Sequence, residues 1–188
     1  MDTQTIFFAG KPGSGKGTQA KILAEKTGWK VVTPGEQFRA MSAEDSPVGR
    51  KVKEGNDAGL LQPPWLAAYI FLKALFAIGS DEGAMFDGAG RTVPEAELIV
   101  DALTWLGRPF RVLNLKVSDE EVHRRLALRR EIESRADDHA VDKRLKEYHE
   151  RTDPAIGVFR KAGVLIEING EQSREAVAAE IGAALNIK

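Results

Sequence analysis

The segment Gly10-Lys11-Pro12-Gly13-Ser14-Gly15-Lys16-Gly17-Thr18 restricts the possible folds of this chain more than any other. It follows an apolar run, Thr5-Ile6-Phe7-Phe8-Ala9, that reads as a buried strand, and it opens a helical stretch from about Gly17 to Lys26. Glycines let the backbone turn its N–H groups inward around phosphate oxygens. The helix behind them aims its positive dipole end at the same anion, and Lys16 adds a full charge. The strict form of such a loop has Ser or Thr directly after the lysine; here Gly17 stands there and Thr18 comes one step later. A glycine turn without a ligand is the plain alternative. Four glycines and a lysine in register favour a triphosphate site made by Gly13, Ser14, Gly15, Lys16, Gly17 and Thr18.

A strand–loop–helix opening of this kind needs further strands to pair with. Val31-Val32, Ala84 to Phe86, Phe110 to Val117 and Val164 to Ile168 supply them, separated by helical stretches. The stretch from Gly35 to Ile78 is helical with breaks at Ser46-Pro47 and Gly59; Pro94 to Leu106 and Ser173 to Leu185 form two more helices. Ser118-Asp119-Glu120-Glu121 has capping-box spacing and opens a helix carrying Val122 and Leu126, and Val141, Leu145 and Tyr148 mark another. Strands alternating with helices predict an α/β fold with a parallel sheet covered on both faces.

Composition excludes other classes. With 188 residues there is one core, and 27 Lys+Arg against 28 Asp+Glu leave none of the basic excess expected for nucleic-acid or anionic-membrane partners. No cysteine means no thiol chemistry and no cysteine-bound zinc, and the three histidines, His123, His139 and His149, lack metal-binding spacing and read as surface residues. Met1-Asp2-Thr3-Gln4 does not begin a signal peptide, so a cytoplasmic location is expected. Trp65 to Ile78, WLAAYIFLKALFAI, is 14 residues long against the ~20 that span a bilayer, and reads as a core helix.

Six of the 14 arginines fall between Arg124 and Arg144: Arg124, Arg125, Arg129, Arg130, Arg135 and Arg144. Arg125 and Arg129 share one helix face. A solvated face paired to Glu120, Glu121, Glu131 and Glu133 is the ordinary reading of such a run. Beside a phosphate loop, the arginines are also what phosphoryl transfer between two nucleotides requires, because each guanidinium can hold phosphate through two hydrogen bonds.

At this point the chain resembles the adenylate kinase family over essentially its whole length. The loop through Thr18-Gln19-Ala20, the segment Thr33-Pro34-Gly35-Glu36-Gln37-Phe38-Arg39, the stretch Asp57-Ala58-Gly59-Leu60-Leu61, the turn Asp87-Gly88-Ala89-Gly90-Arg91-Thr92, and Arg135-Ala136-Asp137-Asp138 with Arg144-Leu145 and Tyr148 follow in that family's order. The resemblance implies a P-loop nucleotide kinase fold with a five-stranded parallel sheet. It also implies a helical monophosphate-binding lobe at about 33–64 and a short lid at about 125–138, with the core in 1–32, 65–124 and 139–188. The implied activity is reversible, Mg²⁺-dependent phosphoryl transfer from ATP to AMP, by a monomer acting on small nucleotides without zinc.

The same resemblance implies residue roles. Pro34, Arg39, Gly59, Leu60, Leu61, Gly88, Arg91 and Glu95 would hold the acceptor, with Arg39 and Arg91 on its phosphate. Arg125 would stack on the ATP adenine and Arg129 would hold ATP phosphates. Arg135 and Arg144 would bridge the nucleotides, and Asp87 would hold Mg²⁺ through water. Lys16, Arg91, Arg129, Arg135 and Arg144 form the implied catalytic set.

Departures from the family pattern leave alternatives open. Pro34 replaces a Thr, and Ala89-Gly90 replaces Phe-Pro with something smaller and more flexible. The Asp138-to-Arg144 spacing is about two residues short, enough to displace Arg144. Glu95 stands where the family has a Gln that reads the acceptor base. A carboxylate only accepts, which suits the N1–H and 2-amino group of guanine and opposes adenine N1; alternatively Glu95 is an acid favoured in the first turn of a helix. A kinase for GMP or another nucleoside monophosphate and a nucleotide-binding regulator with little transfer activity are therefore the two competing readings.

Overall fold

The computed structural model describes residues 5–132 and 140–187. Five parallel strands, β1 (Thr5–Gly10), β2 (Lys30–Val32), β3 (Ala84–Asp87), β4 (Phe110–Lys116) and β5 (Leu165–Asn169), form one sheet in the order β2-β3-β1-β4-β5. The near-continuous apolar character of β1 follows from its central place. Thr5 to Phe8 pair with Ala84 to Asp87 on one side, and Thr5 to Gly10 pair with Phe110 to Leu115 on the other.

Alternation along β1 fills two cores. Phe7 and Ala9 face α4 (Pro64–Phe76), α5 (Val93–Trp105) and α8 (Asp153–Lys161). Ile6 and Phe8 face α1 (Lys16–Thr27) and α9 (Arg174–Ala184). Phe7 stacks on Phe86 at 5.0 Å between centroids, and Phe71 and Phe110 meet this pair at tilted or edge angles. Burying rings such as these contributes about 1.5–3 kcal/mol apiece.

The predicted helical run after Thr33 divides into α2 (Pro34–Ser42), α3 (Pro47–Asp57) and α4, each with proline in its first turn. Proline suits that position because its missing N–H has no intrahelical acceptor there. Pro34 therefore opens α2 directly after the N-cap Thr33, and its missing N–H costs no intrahelical bond. In α4, only one stripe enters the core: Leu66, Ile70, Phe71 and Leu75 are buried, whereas Trp65, Tyr69 and Phe76 are exposed. Among the described residues no helix is long and apolar enough to cross a membrane.

After β4, α6 (Asp119–Ile132) begins at Ser118, whose Oγ accepts from Glu121 N–H at 3.4 Å. The expected box is not closed by Glu121. Glu171, from the β5–α9 connection, accepts from both the N–H and the hydroxyl of Ser118, which frees Glu121 for Arg124 and Arg125. Val122 and Leu126 pack on Val141 and Leu145 of α7 (Val141–Glu147). The sequence reading stops at Tyr148, but the chain passes through a π-helical turn, Tyr148–Thr152, into α8. Pro154 explains the wide turn, since it cannot donate to the carbonyl four residues back and its ring crowds that carbonyl.

Candidate active site

The carboxyl ends of β1, β3, β4 and β5 lie along one edge of the sheet, where α/β folds bind ligands. A cleft of about 1290 Å³ opens there. The phosphate loop forms its floor. Gly15 caps α1 with φ of +97°, a conformation that side chains disfavour and that turns the loop into the helix. Lys16 Nζ donates to the carbonyls of Gly10 at 2.8 Å and Lys11 at 2.7 Å, so the ammonium sits beneath the loop. Burial pushes the Lys16 pKa down to about 7; Asp87 raises it, whereas Arg91, Arg144 and Arg129 lower it further.

Asp87, Arg91, Arg129 and Arg144 line the same cleft as Lys16, and their charges act on it. Arg91 follows the β3 turn, with its Nε donating to Gly88 O at 2.7 Å. Arg144 lies on α7 and lines the cleft despite the short spacing from Asp138, so the feared displacement does not remove it. Gly59 backs onto this region: a Cβ built there would stand 2.9 Å from Ala140 Cβ and 3.4 Å from Arg144 Cγ. The segment before α4 thus meets the segment that carries Arg144.

Arg125 is held from three sides. Its guanidinium donates to Glu121 at 2.6 Å, to Ser14 O at 3.4 Å and to Gly170 O at 2.8 Å, tying α6 to the phosphate loop and to the end of β5. Arg124 is spent on Glu121 at the surface, as the solvated-face reading expects. Arg129 lines the cleft with Arg125.

Pro34, Arg39, Gly59, Leu60, Leu61, Gly88 and Glu95 also line the cleft, as do Gly13, Ser14, Gly15, Gly17 and Thr18. Arg135 lies outside the described residues, as does most of the expected lid tip. Sequence reasoning missed Gly170, Gln172 and Arg174, which border the cleft next to Arg125. Their only clue was position after the last strand.

One expectation needs revision, and the setting of Glu95 bears on another. Ala89 and Gly90 are not loose: both are buried, and Gly90, at φ +72°, is packed by Phe159, whose Cζ would be 2.8 Å from a Cβ there, and by Ile99, whose Cδ1 would be 3.0 Å away. Glu95, 7% exposed, has both oxygens engaged locally, Oε2 by Arg91 N–H at 3.1 Å and Oε1 by the Thr92 hydroxyl at 2.8 Å. Burial pushes its pKa up, opposed by those two donors and the nearby Arg91 charge.

Asp87, at the end of β3, offers a hard carboxylate beside the loop. Among the described residues no group of three or more His, Cys, Asp or Glu is arranged around a metal. Mg²⁺ does not need one, because it binds through one or two carboxylates, substrate phosphates and water. The donor chemistry fits that ion.

A parallel sheet with a glycine-lined phosphate loop and converging arginines defines a P-loop nucleotide phosphotransferase. The adenylate kinase family model matches residues 8–164. The chain is 36% identical over 187 residues to the adenylate kinase of Thermus thermophilus, covering 98% of each chain. It is 37% identical over 186 residues to that of Maricaulis maris, covering 97% of this chain and 99% of the other. The adenylate kinase of Archaeoglobus fulgidus is 31% identical, with 96% of this chain and 97% of that one covered. The chain belongs to the adenylate kinase family, and it is an enzyme that transfers phosphoryl groups between nucleotides.

Proposed function

We propose that the chain reversibly transfers the γ-phosphoryl group of Mg·ATP to AMP, giving two ADP. The observation that carries this reading is the gathering of Asp87, Arg91, Arg129 and Arg144 around Lys16 in one cleft wide enough for two nucleotides. A donor alone needs the loop and the α6 arginines; the further cations across the cleft suit a second phosphate.

In this reading the Gly13–Thr18 backbone and Lys16 hold the donor phosphates, with Arg125 and Arg129 beside them. Arg39 and Arg91 hold the acceptor phosphate. Arg144, joined by Arg135, neutralises charge on the moving group. No general base is required, because catalysis here is positioning and charge neutralisation in a closed, water-poor site. Asp87 would hold Mg²⁺ through water, and that ion supplies charge neutralisation at the donor phosphates. The α2–α3 region, about 33–64, would be the acceptor lobe, and about 125–138 the short lid.

The relatives that share this chain's length are named adenylate kinases, which supports AMP as acceptor. The engagement of both Glu95 oxygens by Arg91 and Thr92 supports it too, since a carboxylate occupied with capping α5 is a poorer guanine reader. The test is Mg·ATP turnover against AMP, GMP, CMP, UMP and their deoxy forms in parallel. Fast turnover with AMP alone is expected. Preference for GMP would make Glu95 the base reader, and ATP binding without turnover on any acceptor would make the protein a regulator.

A further inference from the structure

Asp119, the first residue of α6, is the meeting point of three elements that each carry a cation of the site. Its carboxylate pairs with Lys11 Nζ at 2.5 Å. Lys11 belongs to the phosphate loop, and its own carbonyl accepts from Lys16 Nζ. The same carboxylate accepts from His149 Nε2 at 3.0 and 3.3 Å, and His149 lies in the π turn directly after α7, the helix of Arg144. Asp119 itself begins the helix of Arg125 and Arg129.

The second ring nitrogen of His149, Nδ1, stands 3.0 Å from Asp153 Oδ2 at the start of α8. A neutral imidazole has one donor; only the imidazolium donates to two carboxylates at once. The junction is therefore complete only when His149 is protonated. The groups facing it are Asp119 from α6, Asp153 from α8, Lys11 from the loop through Asp119, and the ring of Tyr148 at 5.6 Å. His123 forms a parallel link on the same face, donating from Nε2 to Asp142 of α7 and from Nδ1 to the Asp119 carbonyl.

We propose that Asp119 is a positioning residue for phosphoryl transfer: with Lys11 and protonated His149 it fixes the phosphate loop, α6 and the α7 segment in one frame, and loss of the His149 proton loosens the hold on the donor phosphates. The proposal rests on the reading of the loop and α6 as the donor site. Both carboxylate partners raise the His149 pKa, Asp153 first, so the link is fully made below the ordinary histidine value and is lost as pH rises through the raised one.

The test compares wild type with His149→Arg, His149→Gln and Asp119→Asn between pH 6 and pH 8.5. The pair is half-exposed, so the expected rise in the wild-type KM for Mg·ATP beyond that of His149→Arg is about two- to fivefold, with kcat little changed. His149→Arg keeps its cation throughout and should lack this component. His149→Gln should show the weakened grip already at pH 6, and adding it to Asp119→Asn should have no further effect. Coincident pH profiles for wild type and His149→Arg would overturn the proposal. So would an equal, pH-independent loss in His149→Gln that persists in the Asp119→Asn background. Calorimetric Mg·ATP binding by the same variants decides the question independently of turnover, so failure of the kinase reading stays separable from failure of this one.

Discussion

Gly17 and Asp87 approach so closely that a Cβ added to the glycine would stand 3.1 Å from Asp87 Oδ2. The glycine after the loop lysine, which looks like an erosion of the phosphate-loop pattern, is the space in which the β3 carboxylate stands beside the loop. Replacing Gly17 with Ala should push that carboxylate aside. Since misplacing a catalytic group by about 1 Å can lower the rate by as much as ~10²-fold, a fall in kcat of about ten- to hundredfold is expected. ATP binding should weaken less, and titrating Mg²⁺ at fixed ATP should show a raised metal requirement. A variant with wild-type kcat would show that Asp87 has no part in the reaction.

The Lys16 ammonium, pushed down to about 7, leads to a proton linkage. At pH 8 the free enzyme holds this lysine largely neutral, and an incoming polyphosphate restores its charge. Binding of Mg·ATP at pH 8 should therefore take up a proton, measurable as a dependence of binding enthalpy on buffer ionisation enthalpy. Lys16→Met should abolish the uptake. The linkage also acts on folding: between about 7 and the ordinary lysine value the unfolded chain binds more protons than the native one, so this group makes stability rise with pH there.

Glu95 gives the opposite slope. Its raised pKa means that the native state holds a proton the unfolded state lacks, in the window between the ordinary glutamate value and the raised one. Stability from this group is present below that window and declines as pH rises through it. Glu95→Gln should remove the slope in chemical-denaturation curves. It should also weaken the capping of Arg91 N–H and Thr92 by about 1 kcal/mol. The AMP-to-GMP ratio should stay within about threefold, less than the roughly tenfold that a lost base contact produces; a larger shift toward AMP would return Glu95 to the role of base reader.

Gly90→Ala meets three obstacles, the positive φ, the Phe159 ring and the Ile99 Cδ1 methyl. Together they should destabilise the fold by about 1–3 kcal/mol. Trimming Phe159 to Leu in the same chain should relieve its share of the crowding and leave the Ile99 contact and the backbone strain. Thermal melts of the single and double variants separate the Phe159 contribution from the rest, and an unshifted melt for Gly90→Ala would remove them all.

The sheet was legible because each strand is an apolar run bounded by turn residues, and the phosphate loop because its glycines are contiguous. Contacts between distant segments were not legible. Nothing local to Glu171 marks it as the partner of Ser118, 53 residues away, and the apolar run of α4 conceals that Trp65, Tyr69 and Phe76 point outward. The departures at Gly17, Pro34 and Gly90 read as losses because a sequence shows what is missing and not what fills the space. Asp87, a helix start and Phe159 occupy those three positions. His149 looked like an ordinary surface histidine because Asp119 is 30 residues away.

The sheet order also governs when the protein can first work. β1 closes at Gly10, yet its partners are residues 84–87 on one side and 110–115 on the other. During synthesis the strand that bears the phosphate loop has one edge unpaired until residues 84–87 emerge and the other until residues 110–115 do, more than half of the chain. Nucleotide cannot assist the early steps of folding, and a ribosome stalled before Phe110 has emerged displays β1 with its β4 edge open.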